Sequence, residues 1–248
     1  DLARLMLAYS GRGNFDIQPV NLSALLQNMD NLLDVAVGKN ITLHSTLDDT
    51  IPATKADIAQ VRQIAINLLT NAAESIQENG GDIHLKTGAC HCDQTYLDTT
   101  QGSPEATEGP YVFLEVTDTG CGMEKATAQK LFDPFYSTKF VGRGLGMAAV
   151  FGIVSSHKGT IDVQSEPGRG TTIKVLFPAT PDASATPVQR SNREGDWQGS
   201  GTVLVVDDEV YVRDITRKIL ERFGFDVVEA EDGQRGLEIF ETQGNALR

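Results

Sequence analysis

Nowhere does this chain run long and apolar enough to form a secretory signal or to cross a bilayer as a helix. Its three cysteines, Cys90, Cys92 and Cys121, cannot all pair, so a disulfide framework is excluded and a reducing, cytoplasmic setting is expected. A longer protein anchored in a membrane through a region upstream of Asp1 is compatible with that reading. Cys90-His91-Cys92 has no second ligand pair at zinc-site spacing and reads as a loop or strand-end cluster. Positive charge is outnumbered: 21 basic residues face 34 acidic ones, a net charge of −13, which disfavours nucleic acid and anionic membranes as partners. Any nucleotide must then be held by local features.

The 248 residues have room for two domains, each with its own core. Pro178 to Gly201 is rich in Pro, Ala, Ser, Thr and Gly and has no apolar period, which marks a linker. The expected organisation is a helix tail over 1–14, a main domain over 15–178, a linker over 179–201 and a second, truncated domain over 202–248. A start at Asp1 and a stop at Arg248 inside an apparent helix read as fragment ends.

The main domain is organised around Asp57 to Ile76. Ile58, Val61, Ile64, Ala65, Leu68, Ala72 and Ile76 recur at the three-and-four spacing of a buried helix face. A second ridge carries Asn67 and Asn71, four apart, with Cβ atoms about 6 Å from each other. Asn competes for backbone hydrogen bonds and is a poor helix former, so two of them in mid-helix call for a reason. A neutral oxygen ligand for Mg²⁺ is such a reason, because that ion is satisfied by one or two protein oxygens together with phosphates and waters.

Ahead of this helix the pattern predicts a strand over Phe15–Val20, one helix over Asn21–Val37 and a half-buried strand over Ile41–Leu47 with His44 facing solvent. Behind it come a strand over Asp82–Thr87 and a polar hairpin loop over Gly88–Gly109. Tyr111 to Val116 is then a strand that delivers Asp118-Thr119-Gly120-Cys121-Gly122 at its end. Such an aspartate can aim a carboxylate into a pocket and accept a hydrogen bond from the adenine amino group, while the glycines bring the backbone close to a ligand. Phe132-Asp133-Pro134-Phe135-Tyr136 follows, then Lys139 and Gly142-Arg143-Gly144-Leu145-Gly146, opening a helix over Leu145–Ser156. A glycine-rich helix start offers free N–H groups and a positive dipole end to phosphate, and Lys139 and Arg143 add charge. Met123 to Val141 reads as a lid that orders when phosphate arrives. Two strands, Thr160–Ser165 and Thr171–Phe177, complete the domain, and His157 falls in the turn before them.

The order of these motifs resembles the ATP-binding catalytic domain of sensor histidine kinases, with its N box, two glycine boxes and F box, over roughly residues 16 to 178. The resemblance implies an α/β two-layer sandwich of the Bergerat type, a mixed, mainly antiparallel sheet with helices on one face and ATP between the helical layer and the lid. It implies that Asn71 holds Mg²⁺ and Asn67 assists at the phosphates. Asp118 would bind the adenine amino group, Gly120 and Gly122 would shape that wall, and Gly142, Gly144, Leu145 and Gly146 would line the phosphate side. Thr171 would support the adenine. Leu5 to Gly13 is similar to the end of the dimerisation and phosphoacceptor helices of this family, which implies a homodimer through an upstream domain.

In the second domain Thr202 to Val206 is an apolar run of parallel-strand character that ends in Asp207-Asp208-Glu209, followed by a helix over Val210–Phe223, a strand over Asp226–Glu229 and a helix from about Gly233. Acids at the carboxyl end of a first parallel strand resemble a response-regulator receiver, the first half of a doubly wound α/β domain, in which Asp207 and Asp208 would bind Mg²⁺. The receiver's acceptor aspartate would lie beyond Arg248, and partner receivers in cis or in trans are implied.

A hybrid sensor histidine kinase passing the γ-phosphoryl of ATP to a histidine and on to an aspartate is therefore the leading expectation. The alternative is a conformational clamp ATPase of the gyrase and MutL type, which needs a glutamate base one turn before the metal ligand; Asn67 stands there and cannot take a proton. A module that has lost catalysis is disfavoured because each box is intact. None of His44, His84, His91 and His157 is followed by the acidic residue and helical pattern of a phosphoacceptor. Phosphoryl transfer depends on positioning, so incubation of this chain with γ-labelled ATP and Mg²⁺ is expected to leave no acid-labile label on it. Label on any of the four histidines would contradict this reading.

Overall fold

The computed structural model describes residues 16–38, 40–76, 80–137, 145–180 and 199–243. The expected helix ahead of Gly11 lies outside them. Two compact units divide between Val188 and Gln189.

In the first unit β1 (Gln18–Val20) leads into α1 (Leu22–Gln27) and α2 (Asp30–Val37), then β2 (Ile41–Thr46), β3 (Ala53–Ala56) and α3 (Ile58–Ser75). After α3 come β4 (Gly81–Cys92), the single turn α4 (Gln94–Leu97), β5 (Gln101–Gly102), β6 (Gly109–Asp118) and α5 (Lys125–Gln129). The unit closes with α6 (Gly146–Ser156), β7 (Thr160–Glu166) and β8 (Gly170–Thr180). The sheet order is β1-β3-β8-β6-β4-β2, with β7 on β8 and β5 on β7. Among the described residues of this unit only β2 runs parallel to its neighbour, β4; the other pairings are antiparallel. This is the mixed, mainly antiparallel sheet that the resemblance implies.

Alternate residues of the central strands divide the interior in two. Val112, Leu114 and Val116 of β6 face the main core with Val175 and Phe177 of β8, under α1, α2, α3 and α6. Tyr111 and Phe113 point the other way and meet Cys92, Leu176 and Leu97 of α4. The long helices thus cover one face, as expected, and one short helical turn covers part of the other.

Three expectations need correction. The helix predicted over Asn21–Val37 is two helices, because Asn28 turns its own side-chain amide and backbone N–H onto the Ala24 carbonyl and ends α1, after which Met29 opens α2. The loop predicted over Gly88–Gly109 is largely ordered: β4 continues to Cys92 along β6, and His91 lies in that strand rather than in a loop. Gly88 makes this continuation compatible with the buried Phe113, since a Cβ there would sit 2.5 Å from the ring's Cζ. Strand β3 was not predicted, because Pro52 and Lys55 interrupt any apolar alternation.

In the second unit β9 (Thr202–Val206) pairs in parallel with β10 (Asp226–Ala230), and α7 (Val210–Arg222) and α8 (Gly233–Gln243) follow them.

His44 is half-exposed, as expected, its Nε2–H donating to Asp82 Oδ1 at 2.8 Å and its ring stacked on His84. His157 is buried and structural: its Nδ1–H donates to the Ile153 carbonyl at 2.7 Å, and Nε2 accepts the Asp57 N–H at 3.0 Å. It thereby fastens the end of α6 to the start of α3. Burial pushes its pKa below the ordinary value, against the opposing pull of the Ile153 carbonyl and the Asp57 carboxylate. A second ring proton would also face the Asp57 N–H, donor against donor. A lowered folded-state pKa contributes stability that is complete above about pH 6.5 and is lost as pH falls below it towards the lowered value. Replacing His157 with Gln should therefore flatten the part of the stability loss between about pH 7 and pH 5 that this ring causes, as measured by urea titration at both pH values. An unchanged slope would mean that other groups account for it.

Candidate functional site

Asp57 caps α3 by accepting from the N–H groups of Ala59 and Gln60. Val61, Ile64, Ala65, Leu68, Leu69 and Ala72 bury one face of the helix. Beside that face, towards the C-terminal end of the helix, Asn71, Glu74 and Ser75 form one wall of a cleft. Asp118, Cys121, Gly122 and Thr171 form the facing wall, and Met123, Thr127, Leu131, Tyr136, Ser137 and Met147 complete the lining.

Asp118 ends β6, held between Ile83 of β4 and Thr171 of β8. Only 5% of it is exposed, and its Oδ1 accepts both the Ser75 hydroxyl at 2.8 Å and the Gly120 N–H at 2.8 Å. The Cys121 N–H donates to the Ser75 carbonyl at 3.0 Å, so the last residue of α3 holds the turn after β6 by main chain and side chain together. Close approach requires glycine here: a Cβ on Gly120 would overlap the Ser75 hydroxyl, and one on Gly170 (φ 89°) would overlap the Asp118 carbonyl. Thr171 shares a hydrogen bond of 2.9 Å with the Ser165 hydroxyl, which accepts the Met123 N–H at 2.8 Å. The strand pair is thus connected to the start of the segment over the cleft.

Asn67 stands one turn before Asn71, and its side-chain amide donates to the Gly146 carbonyl at 3.1 Å, joining α3 to the first turn of α6. Leu145 precedes that turn at the helix cap. Among the described residues nothing hydrogen-bonds the Asn71 amide, which leaves its oxygen on the cleft wall as a neutral donor of the kind Mg²⁺ accepts. Phe132 is buried against Phe151 of α6 with ring centroids 5.7 Å apart, whereas Phe135 is exposed at a φ of 65°. One aromatic of the run therefore anchors this segment to the domain.

The expected site residues are partly assembled. Asn71, Asp118, Gly122 and Thr171 line one cleft, Gly120 shapes it from behind, and Asn67, Leu145 and Gly146 meet at the start of α6. Lys139, Gly142, Arg143 and Gly144 lie outside the described residues. Ser75 and Ser165 were not foreseen; the available signal for Ser75 was its place one turn after Asn71 on the same ridge. In the second unit Asp207 accepts the Glu209 N–H at 2.9 Å in a local turn before α7, and Asp208 is exposed beside it. No group of three or more His, Cys, Asp or Glu side chains poised for a metal occurs among the described residues.

The family model described as Histidine kinase-, DNA gyrase B-, and HSP90-like ATPase matches residues 56–181. The chain is 36% identical to Sensor kinase CckA of Brucella abortus (strain 2308) over 99% of its own length and 27% of that protein. It spans about a quarter of that relative. The solved catalytic domain of histidine kinase ThkA superposes with a TM-score of 0.52 at 25% identity, covering 68% of this chain and 100% of that one. Full-length ShkA, solved in complex with AMPPNP, is similar in fold with a TM-score of 0.54 at 23% identity, over 96% of this chain and 46% of that one.

The glycines of the two turns should differ in tolerance. Gly120→Ala forces its methyl into Ser75 and should cost about 1–3 kcal/mol. Gly146→Ala meets nothing closer than 3.9 Å and lies in a helix, so its stability should stay within about 0.5 kcal/mol of the parent. Denaturant titration of both variants checks the contrast, and equal costs would contradict the packing described.

Proposed function

We propose that this chain, which belongs to the Histidine kinase-, DNA gyrase B-, and HSP90-like ATPase family, is the ATP-binding catalytic part of a sensor histidine kinase of a two-component phosphorelay. The observation that carries the proposal is one cleft with the Asn71 amide on its helical wall and the buried Asp118 carboxylate on its sheet wall. A carboxylate accepts from the adenine amino group, and a neutral amide oxygen suits an ion whose charge is balanced by phosphates. Mg²⁺, when bound, would neutralise the phosphate oxygens. Asn71 would hold it, Asn67 would steady the start of α6, and Gly142, Arg143, Gly144, Leu145, Gly146 and Lys139 would face the phosphates. AMPPNP in the ShkA complex supports a triphosphate in this fold.

The γ-phosphoryl would pass to a histidine of an upstream dimerisation domain in a homodimer, and from there to the aspartate of a receiver in cis or in trans. The second unit fits the start of such a receiver, with Asp207 and Asp208 as its Mg²⁺ ligands, because its two strands are parallel and these acids stand at the carboxyl end of the first. A cytoplasmic location is part of the same proposal; no helix among the described residues is long and apolar enough to cross a membrane. A clamp ATPase is less well supported, since the Asn67 amide donates to Gly146 where a base is required.

ATP titration with and without Mg²⁺ tests the reading. Asn71→Ala should abolish the part of the affinity that depends on the metal and leave the metal-free binding in place. Asp118→Asn, which presents an amide donor where an acceptor is required, should weaken ATP by about 1–3 kcal/mol and GTP much less. A metal response that survives Asn71→Ala removes this residue from the site, and equal losses for ATP and GTP show that Asp118 does not read the base.

A further inference from the structure

We infer that Ser75 is a positioning residue for recognition of the base, acting through Asp118. This rests on the nucleotide reading of the cleft and deepens it. Ser75 is the last residue of α3 and makes three contacts with the turn after β6. Its hydroxyl donates to Asp118 Oδ1 at 2.8 Å, its carbonyl accepts the Cys121 N–H at 3.0 Å, and Gly120 lies against it with no room for a Cβ.

A hydroxyl has one proton and a carboxylate oxygen has two lone pairs. The Ser75 hydroxyl lies 2.8 Å from both Asp118 Oδ1 and the Ala72 carbonyl, and the charged acceptor is the stronger of the two. With the Gly120 N–H on the same oxygen, Oδ1 is committed to the protein from two directions and the plane of the carboxyl group is fixed. Rotation about the Cβ–Cγ bond would break both bonds at once. The carboxyl group, which lines the cleft, is then held at one orientation, as a base-reading acceptor requires. A short side chain with a hydroxyl at its tip meets these demands, and alanine lacks the donor.

A consequence concerns coupling. Asn71 and Ser75 stand four apart on the same ridge of a rigid helix, about 6 Å between Cβ atoms. The metal side and the base side of the cleft are thus referenced to one element, and a shift of α3 changes both together.

The test compares wild type, Ser75→Ala, Ser75→Thr and Ser75→Cys, each titrated with ATP and with GTP by calorimetry, alongside denaturant titration without nucleotide. Ser75→Ala should lose about tenfold in ATP affinity and little for GTP, so that the ATP:GTP ratio falls by about tenfold. Ser75→Thr keeps the hydroxyl and should restore the ratio. Ser75→Cys matches serine in shape and donates weakly, so it should give an intermediate ratio and serves as the readout if the alanine variant does not fold. A purely structural role predicts lower stability with an unchanged ratio, and that result overturns the inference. A wild type that prefers ATP while every Ser75 variant keeps the same preference overturns it alone; a wild type that binds neither nucleotide overturns the reading of the cleft and this inference with it.

Discussion

Everything in the first unit depends on a single amphipathic helix having two different obligations. One face of α3 buries six apolar side chains, of which Val61, Ile64, Leu68 and Leu69 each contribute about 1.5–3 kcal/mol relative to exposure, and that burial fixes its rotation about its own axis. With the rotation fixed, the positions of Asn67, Asn71 and Ser75 are no longer free, because a period of 3.6 residues places this row of residues four apart beside the buried face. The core therefore aims the polar residues. Small errors in the packing of Leu68 or Leu69 would turn the Asn ridge away from the cleft.

The other wall is aimed by the sheet. Asp118 is the last paired residue of β6, flanked by ladders to β4 and β8, so its Cα is held from both sides before its side chain makes any bond. The two walls are then joined where Gly120 meets the end of α3, at a separation that excludes even a methyl group. Close-packed interiors transmit displacement, so helix and sheet move as one body at this point. His157 provides a second fastening at the other end of α3.

Much of this was legible in the sequence because periodicity reports rotation. The spacing of Ile64, Leu68 and Ala72 gave the buried face, and Asn67 and Asn71 fell outside it. Glycines at 120 and 122 were legible as places where backbone must come close, although the sequence left open what they approach: Gly120 approaches Ser75, a neighbour 45 positions back that no local pattern reveals. The Ser75–Asp118 bond is long-range, so it was missed for the same reason. The break at Asn28 was hidden because the apolar period of Leu22 to Leu33 runs straight through it, while a side-chain hydrogen bond to Ala24 decides the local backbone. Strand β4 outran its prediction because pairing with β6, rather than alternation, keeps Gly88 to Cys92 extended.

The two asparagines show how one residue type takes two roles by position. Each is neutral, and each offers an oxygen and an amide N–H₂. At 67 the N–H₂ group is spent on the Gly146 carbonyl, in the first turn of α6, so this side chain acts as a strut between α3 and α6. At 71 no such partner exists among the described residues, and the amide stands on the cleft wall. A glutamate at 67 would bring a charge and proton affinity to the same spot, but it has no donor for the Gly146 carbonyl, and α6 would lose that link. The strut and a water-activating base are therefore mutually exclusive at this position. With the strut in place, position 67 itself offers no base to deprotonate water beside a bound triphosphate.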